Sequence, residues 1–139
     1  KGWARLGELF RERGRWTAAR IEYQKAYQKV GPRVPILANQ YALAAMMSGS
    51  KGEAEKVLAE ALEWNPDYPA LNVRLARLLL DRGDASRARD HLIQANRQDP
   101  FDPEIHAGLA LALEKLGDPA GASREREFAR ILAGGPQHP

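Results

Sequence analysis

Every 34 residues the chain returns to the same pattern. Glycines fall at Gly14, Gly49, Gly83 and Gly117, at steps of 35, 34 and 34. Small residues keep the step at Gly7, Ala42, Ala76 and Ala110, at Ala19, Ala54, Ala88 and Ala122, and at Ala26, Ala61, Ala95 and Ala129. Larger residues follow in two more columns, Leu6, Tyr41, Leu75 and Leu109, then Phe10, Ala45, Leu79 and Leu113. Two proline series, Pro32, Pro66, Pro100 and Pro35, Pro69, Pro103, repeat the spacing independently. A fixed period of this length means an array of identical supersecondary units, each touching its neighbours. The one extra residue lies between Ala26 and Pro32, where Gly31 is placed to cap a slightly longer helix.

Inside each repeat the apolar spacing is three and four, as in Asn72, Leu75, Ala76 and Leu79, the stripe of an amphipathic helix. The mid-repeat glycine splits the repeat into two helices. Asp84 and Asp118 follow that glycine as N-cap acceptors, Asp102-Pro103 and Tyr68-Pro69 open first helices, and Ser50 to Glu53 has capping-box spacing. The pattern predicts eight helices at 2–13, 16–30, 35–48, 51–64, 69–82, 85–98, 103–116 and 119–133. The small columns let paired helices approach closely, with Leu, Phe and Tyr filling the space around them. One pair cannot bury both its faces, so the expected fold is all-α, an α-solenoid of four stacked helix-turn-helix repeats.

Composition narrows the chemistry. The 139 residues carry no cysteine, so disulfides and thiolate catalysis are excluded, and only three histidines are available to a metal. No apolar run reaches the roughly 18 residues of a membrane span. The chain reads as soluble, cytoplasmic in preference to periplasmic, and as a mature or excised piece of something longer, since Lys1 begins it. There is no Gly-rich phosphate loop, His-Glu-x-x-His or Gly-x-Ser-x-Gly, and Glu125 and Glu127 point to different helix faces. His91 and His106 fall on neighbouring helices close enough for a polar packing contact, a poor metal site for want of a third ligand. No enzyme activity and no cofactor are expected.

Trp3-x-x-Leu6-Gly7-x-x-Phe10, then Ala19-x-x-x-Tyr23-x-x-Ala26 and a proline, resembles the tetratricopeptide repeat. Later repeats depart from it singly: Ala38, Asn72 and His106 stand where the leading Trp or Leu is expected, and Gly134 replaces the last proline. The resemblance divides residues 1–136 into repeats 1–34, 35–68, 69–102 and 103–136, one domain with a tail at 137–139. It implies a right-handed solenoid and a non-catalytic scaffold that docks a peptide or protein segment in a concave groove lined by the first helix of each repeat. Carried over by repeat position, the groove residues that matter are Arg5, Glu8, Asn39, Gln40, Leu43, Met46, Arg74, Arg77 and Leu111. Asn39 and Gln40 suit a ligand backbone, Arg74 and Arg77 suit carboxylates, and Leu43, Met46 and Leu111 suit apolar side chains. Arg74 and Arg77 have Asp81 and Glu104 as alternative partners, and Tyr41 belongs to a packing column. The Lys, Asn and Arg pattern that some family members use to clamp acidic chaperone tails is missing in every register.

Residues 1–34 hold nine Lys and Arg against three acids, a basic excess interrupted by Glu8, Glu12 and Glu22. A solvated face explains it better than nucleic acid, for which no repeated base-reading code exists. The partner is therefore expected to be protein, with acidic groups on it. Two readings stand: a peptide-docking module, or an assembly element that self-associates or joins domains through the array ends and the basic first repeat. Arg126 interrupts the apolar column of Tyr23, Leu58 and Leu92 and marks the array's end, while Phe128, Ile131 and Leu132 stay apolar there, as Trp3 does at the start.

Overall fold

The computed structural model describes residues 5–134. Trp3, Gly135-Pro136 and the tail expected at 137–139 lie outside the described residues. Among the described residues the helices are α1 (Arg5–Glu12), α2 (Trp16–Val30), α3 (Pro35–Met47), α4 (Lys51–Trp64), α5 (Pro69–Asp81), α6 (Ala85–Gln98), α7 (Pro103–Lys115) and α8 (Pro119–Leu132). A single 3-10 turn, Gly31–Arg33, follows α2. It absorbs the extra residue, with Gly31 at φ 75° closing a 15-residue α2 whose counterpart α4 has 14.

The turns inside the repeats share one hydrogen-bonding scheme. Gly14, Gly49, Gly83 and Gly117 have φ between 70° and 90°, a region that a β-carbon disfavours. In each, the residue after the glycine donates to a carbonyl five positions back: Arg15 to Phe10, Ser50 to Ala45, Asp84 to Leu79 and Asp118 to Leu113, at 2.7 to 2.9 Å. The glycine N–H closes the inner bond of the same Schellman motif. These turns end α1, α3, α5 and α7 one residue before the periodicity alone predicts, and α8 likewise ends one residue early.

Second helices then start on side-chain caps where aspartate is present. Asp84 accepts from the Arg87 N–H and Asp118 from the Gly121 N–H, while Asp102 caps α7 through the Glu104 N–H. The capping box expected at Ser50 does not form, because the Ser50 side chain makes no cap bond. Its intended partner Glu53 is turned inward instead, accepting from the Tyr41 hydroxyl and from Arg20 Nη1 at 3.2 Å.

The chain divides into two compact units, Lys1–Pro66 and Asp67–Pro139. In the first, α1 packs on α2, α2 on α3 and α3 on α4; in the second, α5 packs on α6, α6 on α7 and α7 on α8, and α5 also meets α7. Small residues sit at the closest approaches. An added β-carbon at Gly7 would stand 3.0 to 3.2 Å from the Tyr23 ring, which is itself fully buried. Ala19, Ala54, Ala88 and Ala122, one of the repeated columns, are all fully buried. The column headed by Leu6 behaves differently at its start: Tyr41, Leu75 and Leu109 are buried, but Leu6 is 49% exposed. No described helix precedes α1 to cover the side of Leu6 that its counterparts bury.

Candidate protein-docking surfaces

Within the second unit, the groove that holds most of the charged chemistry is built from α5 and the start of α7. Helical spacing puts Ala70, Val73, Arg74 and Arg77 on one face of α5, and the Asp102 cap presents Glu104 across from them. With Tyr68, Pro69 and Asp99 these residues line a groove of about 410 Å3. Arg77 Nη2 contacts Glu104 Oε2, the partner anticipated for it, and both side chains stay about half exposed. Burial, and then the neighbouring Arg77 charge, hold the Arg74 guanidinium below its usual pKa. Two guanidinium forks beside Val73 and Ala70 offer a carboxylate or a backbone carbonyl a charge-assisted bond next to apolar contact.

A second groove of the same unit, about 670 Å3, runs between α7 and α8. Leu111, 43% exposed, and the small residues Ala107, Ala129 and Ala133 form its floor. Arg126 Nη2 pairs with Glu114 Oε1 at 2.9 Å along its edge. Phe128 and Ile131 are 53% and 46% exposed on α8, as expected of a helix with no described helix beyond it.

In the first unit, Asn39, Gln40, Leu43 and Met46 lie along α3 and are all partly exposed, whereas Arg5 and Glu8 are exposed on α1. Tyr41, expected in a packing column, is 3% exposed. Sequence reasoning missed the polar system behind it. Tyr41 and Arg20 meet on Glu53, Tyr27 Oη donates to Glu60 Oε1 at 2.8 Å, and the two tyrosine rings lie 5.3 Å apart. Burial first, and then the facing carboxylates, push both tyrosine hydroxyls well above their ordinary pKa. The signal was available: Arg20 and Glu53, like Tyr27 and Glu60, stand 33 positions apart, about one repeat.

The two histidines do not pair with each other. His91 Nδ1 meets Asn72 Oδ1 at 2.8 Å, and His106 Nδ1 meets Glu125 Oε1 at 2.6 Å. Each pair joins the two helices of its own repeat across 19 positions, a distance at which α5 faces α6 and α7 faces α8, so neither histidine is left to seek the other. No cluster of three metal-binding side chains exists among the described residues. No helix among them is long and apolar enough to cross a membrane.

Two family models, both described as tetratricopeptide repeat, match residues 4–69 and 45–112, together reaching from the first repeat into the start of the fourth. The chain belongs to the tetratricopeptide repeat family. A TPR repeat-containing thioredoxin, TTL4, of Arabidopsis thaliana is 31% identical over 121 residues, 82% of this chain. This chain spans only 18% of the length of that relative. Among solved structures, MamA residues 41-end from Desulfovibrio magneticus RS-1 superposes with a TM-score of 0.85 at 18% identity, covering 94% of this chain and 73% of the other. Pseudomonas aeruginosa pilF gives a TM-score of 0.81 at 19% identity over 94% of this chain and 60% of its own. At such identities the likeness establishes the tetratricopeptide fold, all-α and of the solenoid class. Tetratricopeptide repeats serve generally as protein-protein interaction scaffolds.

Proposed function

We propose that the chain is a non-catalytic docking module for a peptide or protein segment bearing acidic groups, held on the first helices of its repeats. The domain is read as residues 1–136, in repeats 1–34, 35–68, 69–102 and 103–136, with 137–139 as a tail. The observation that carries the proposal is the groove of the second unit, where Arg74 and Arg77 stand beside Val73 and Ala70 over about 410 Å3. Arg77 is held there by an exposed, weakly held pair with Glu104, which a ligand carboxylate can replace at little loss. Asn39, Gln40, Leu43 and Met46 on α3, Arg5 and Glu8 on α1, and Leu111 on α7 complete the docking set.

Selection of peptides from a displayed random library on the purified protein tests this. Enriched sequences are expected to carry Asp or Glu next to apolar residues. Arg74→Ala with Arg77→Ala is expected to weaken a selected peptide by tenfold or more while leaving helical circular dichroism unchanged, about the strength of one charge-assisted bond. Unchanged affinity would move the site away from α5; the same comparison with Asn39→Ala tests the first unit.

A second reading, assembly through the end of the array, draws on exposed Phe128 and Ile131 and the Leu111 groove. Light scattering over a concentration series separates the two: a monomer throughout removes the assembly reading.

A further inference from the structure

His106 occupies an unusual position for a histidine. It is 7% exposed, at the place in the fourth repeat where the leading Trp or Leu is expected, and both of its ring nitrogens face acceptors. Nδ1 lies 2.6 Å from Glu125 Oε1 on α8, and Nε2 lies 2.7 Å from the carbonyl oxygen of Pro100 in the α6–α7 turn. A neutral imidazole has one N–H and one bare nitrogen, so it can satisfy only one of these oxygens; the imidazolium satisfies both. The third repeat provides the comparison. There the same register holds Asn72 and His91, an amide against a ring nitrogen, a pair that a neutral histidine completes.

We propose that His106 is a proton-operated latch: as imidazolium it ties α8 and the α6–α7 turn to α7, and on deprotonation it keeps Glu125 and lets go of Pro100. The carboxylate is the stronger acceptor and retains the remaining Nδ1–H. Bare Nε2 then faces the Pro100 oxygen lone pair to lone pair, and the turn is released.

The electrostatics run in the same direction. Burial of the ring opposes its charge, but the hydrogen bonds to Glu125 and Pro100, with the charges of Glu125 and Asp102, outweigh burial and raise the His106 pKa. Glu125 comes from α8 and Asp102 from the α6–α7 turn; α5 and α6, also packed on α7, present no charge to the ring among the described residues. Because the folded pKa lies above the ordinary 6.5, the latch is fully closed below that value and opens as pH rises through the raised one. Release acts on residues that matter elsewhere: Asp102 caps α7 through Glu104 N at 2.9 Å, and Asp99, Asp102 and Glu104 line the α5–α7 groove.

Imidazole nitrogen and amide-exchange NMR on the full chain from pH 5 to pH 9 test the latch. At the acid end, Nδ1 and Nε2 of His106 should both be protonated, and the ring should titrate at higher pH than His91. After correction for the intrinsic pH dependence of exchange, the amides of Asp99, Glu104 and Ile105 are expected to open about tenfold more often once His106 is neutral, corresponding to loss of one charge-assisted bond. His106→Asn, which copies the residue at this register in the third repeat, should fold and abolish that pH dependence. Glu125→Gln should fold and lower the His106 midpoint. The proposal is overturned if His106 titrates with or below His91, if exchange at those amides ignores the His106 midpoint, or if Glu125→Gln leaves that midpoint in place.

Discussion

Glu53 concentrates more of the first unit's polar stability than its position on a helix surface implies, and Glu53→Ala measures it. Its carboxylate accepts from the Tyr41 hydroxyl, from Arg20 Nη1 at 3.2 Å and from Gln24 Nε2 at 3.5 Å. Tyr41 is 3% exposed, so without Glu53 its hydroxyl loses its carboxylate acceptor and is left with Gln24 beside it, a loss of about 1–3 kcal/mol. The Arg20 pair, with side chains 23% and 25% exposed, adds about 0.5–1 kcal/mol after solvent screening. The bond to Gln24 is too long to add much. Together the substitution should destabilise by about 1.5–4 kcal/mol, read as a lower urea midpoint at unchanged slope. Glu53→Gln, which keeps an acceptor but no charge, should lose about 1 kcal/mol. In a Tyr41→Phe background the orphaned hydroxyl is already gone, so Glu53→Ala should then be milder by about 1 kcal/mol or more. A loss under about 0.5 kcal/mol, or strict additivity with Tyr41→Phe, would refute the assignment of Glu53 as a polar hub.

Two glycines on helices should respond to alanine with opposite signs in the same denaturation assay. Gly52 has nothing within 4 Å of an added β-carbon and lies in the first turn of α4, so Gly52→Ala should stabilise by about 0.5–1 kcal/mol. Gly7→Ala meets the Tyr23 ring at 3.0 Å and should destabilise by about 1–3 kcal/mol; a neutral result would mean that α1 shifts freely on α2. His91 titrates in the opposite sense to His106: burial, then Arg87, lower its pKa against the weaker pull of Asp90. Its contribution is therefore full above the ordinary 6.5 and lost as pH falls through the depressed value, so His91→Gln should flatten the acid limb of the stability profile without altering the limb above pH 6.5.

What the sequence discloses depends on whether the determinant recurs. Glycine and alanine columns, prolines and aspartate caps act through local backbone geometry and repeat every 34 residues, so helix starts were legible to the residue in α2 through α8. Ser50 misled because capping-box spacing says nothing of a competing tyrosine 12 positions upstream of Glu53. His106 was read as a packing contact of His91, when both histidines in fact bond partners on the opposite helix of their own repeats. Polar residues compared by repeat position, rather than by identity, show Asn72 with His91 and His106 with Glu125 in one register. The candidate docking residues proposed on α3 and α5 follow from helical phase, but the closure of Arg77 on Glu104 depends on how α7 approaches α5, which periodicity does not encode.

The turn scheme has a kinetic consequence. Each Schellman turn is complete within six residues, and the side-chain bonds between helices described above span at most 33 positions. No strand waits for a distant partner, so loop-closure entropy stays small at every step and the contact order is low. Such a chain is expected to fold fast from any repeat that forms first, and to lose structure by fraying one helix at a time rather than in a single concerted event.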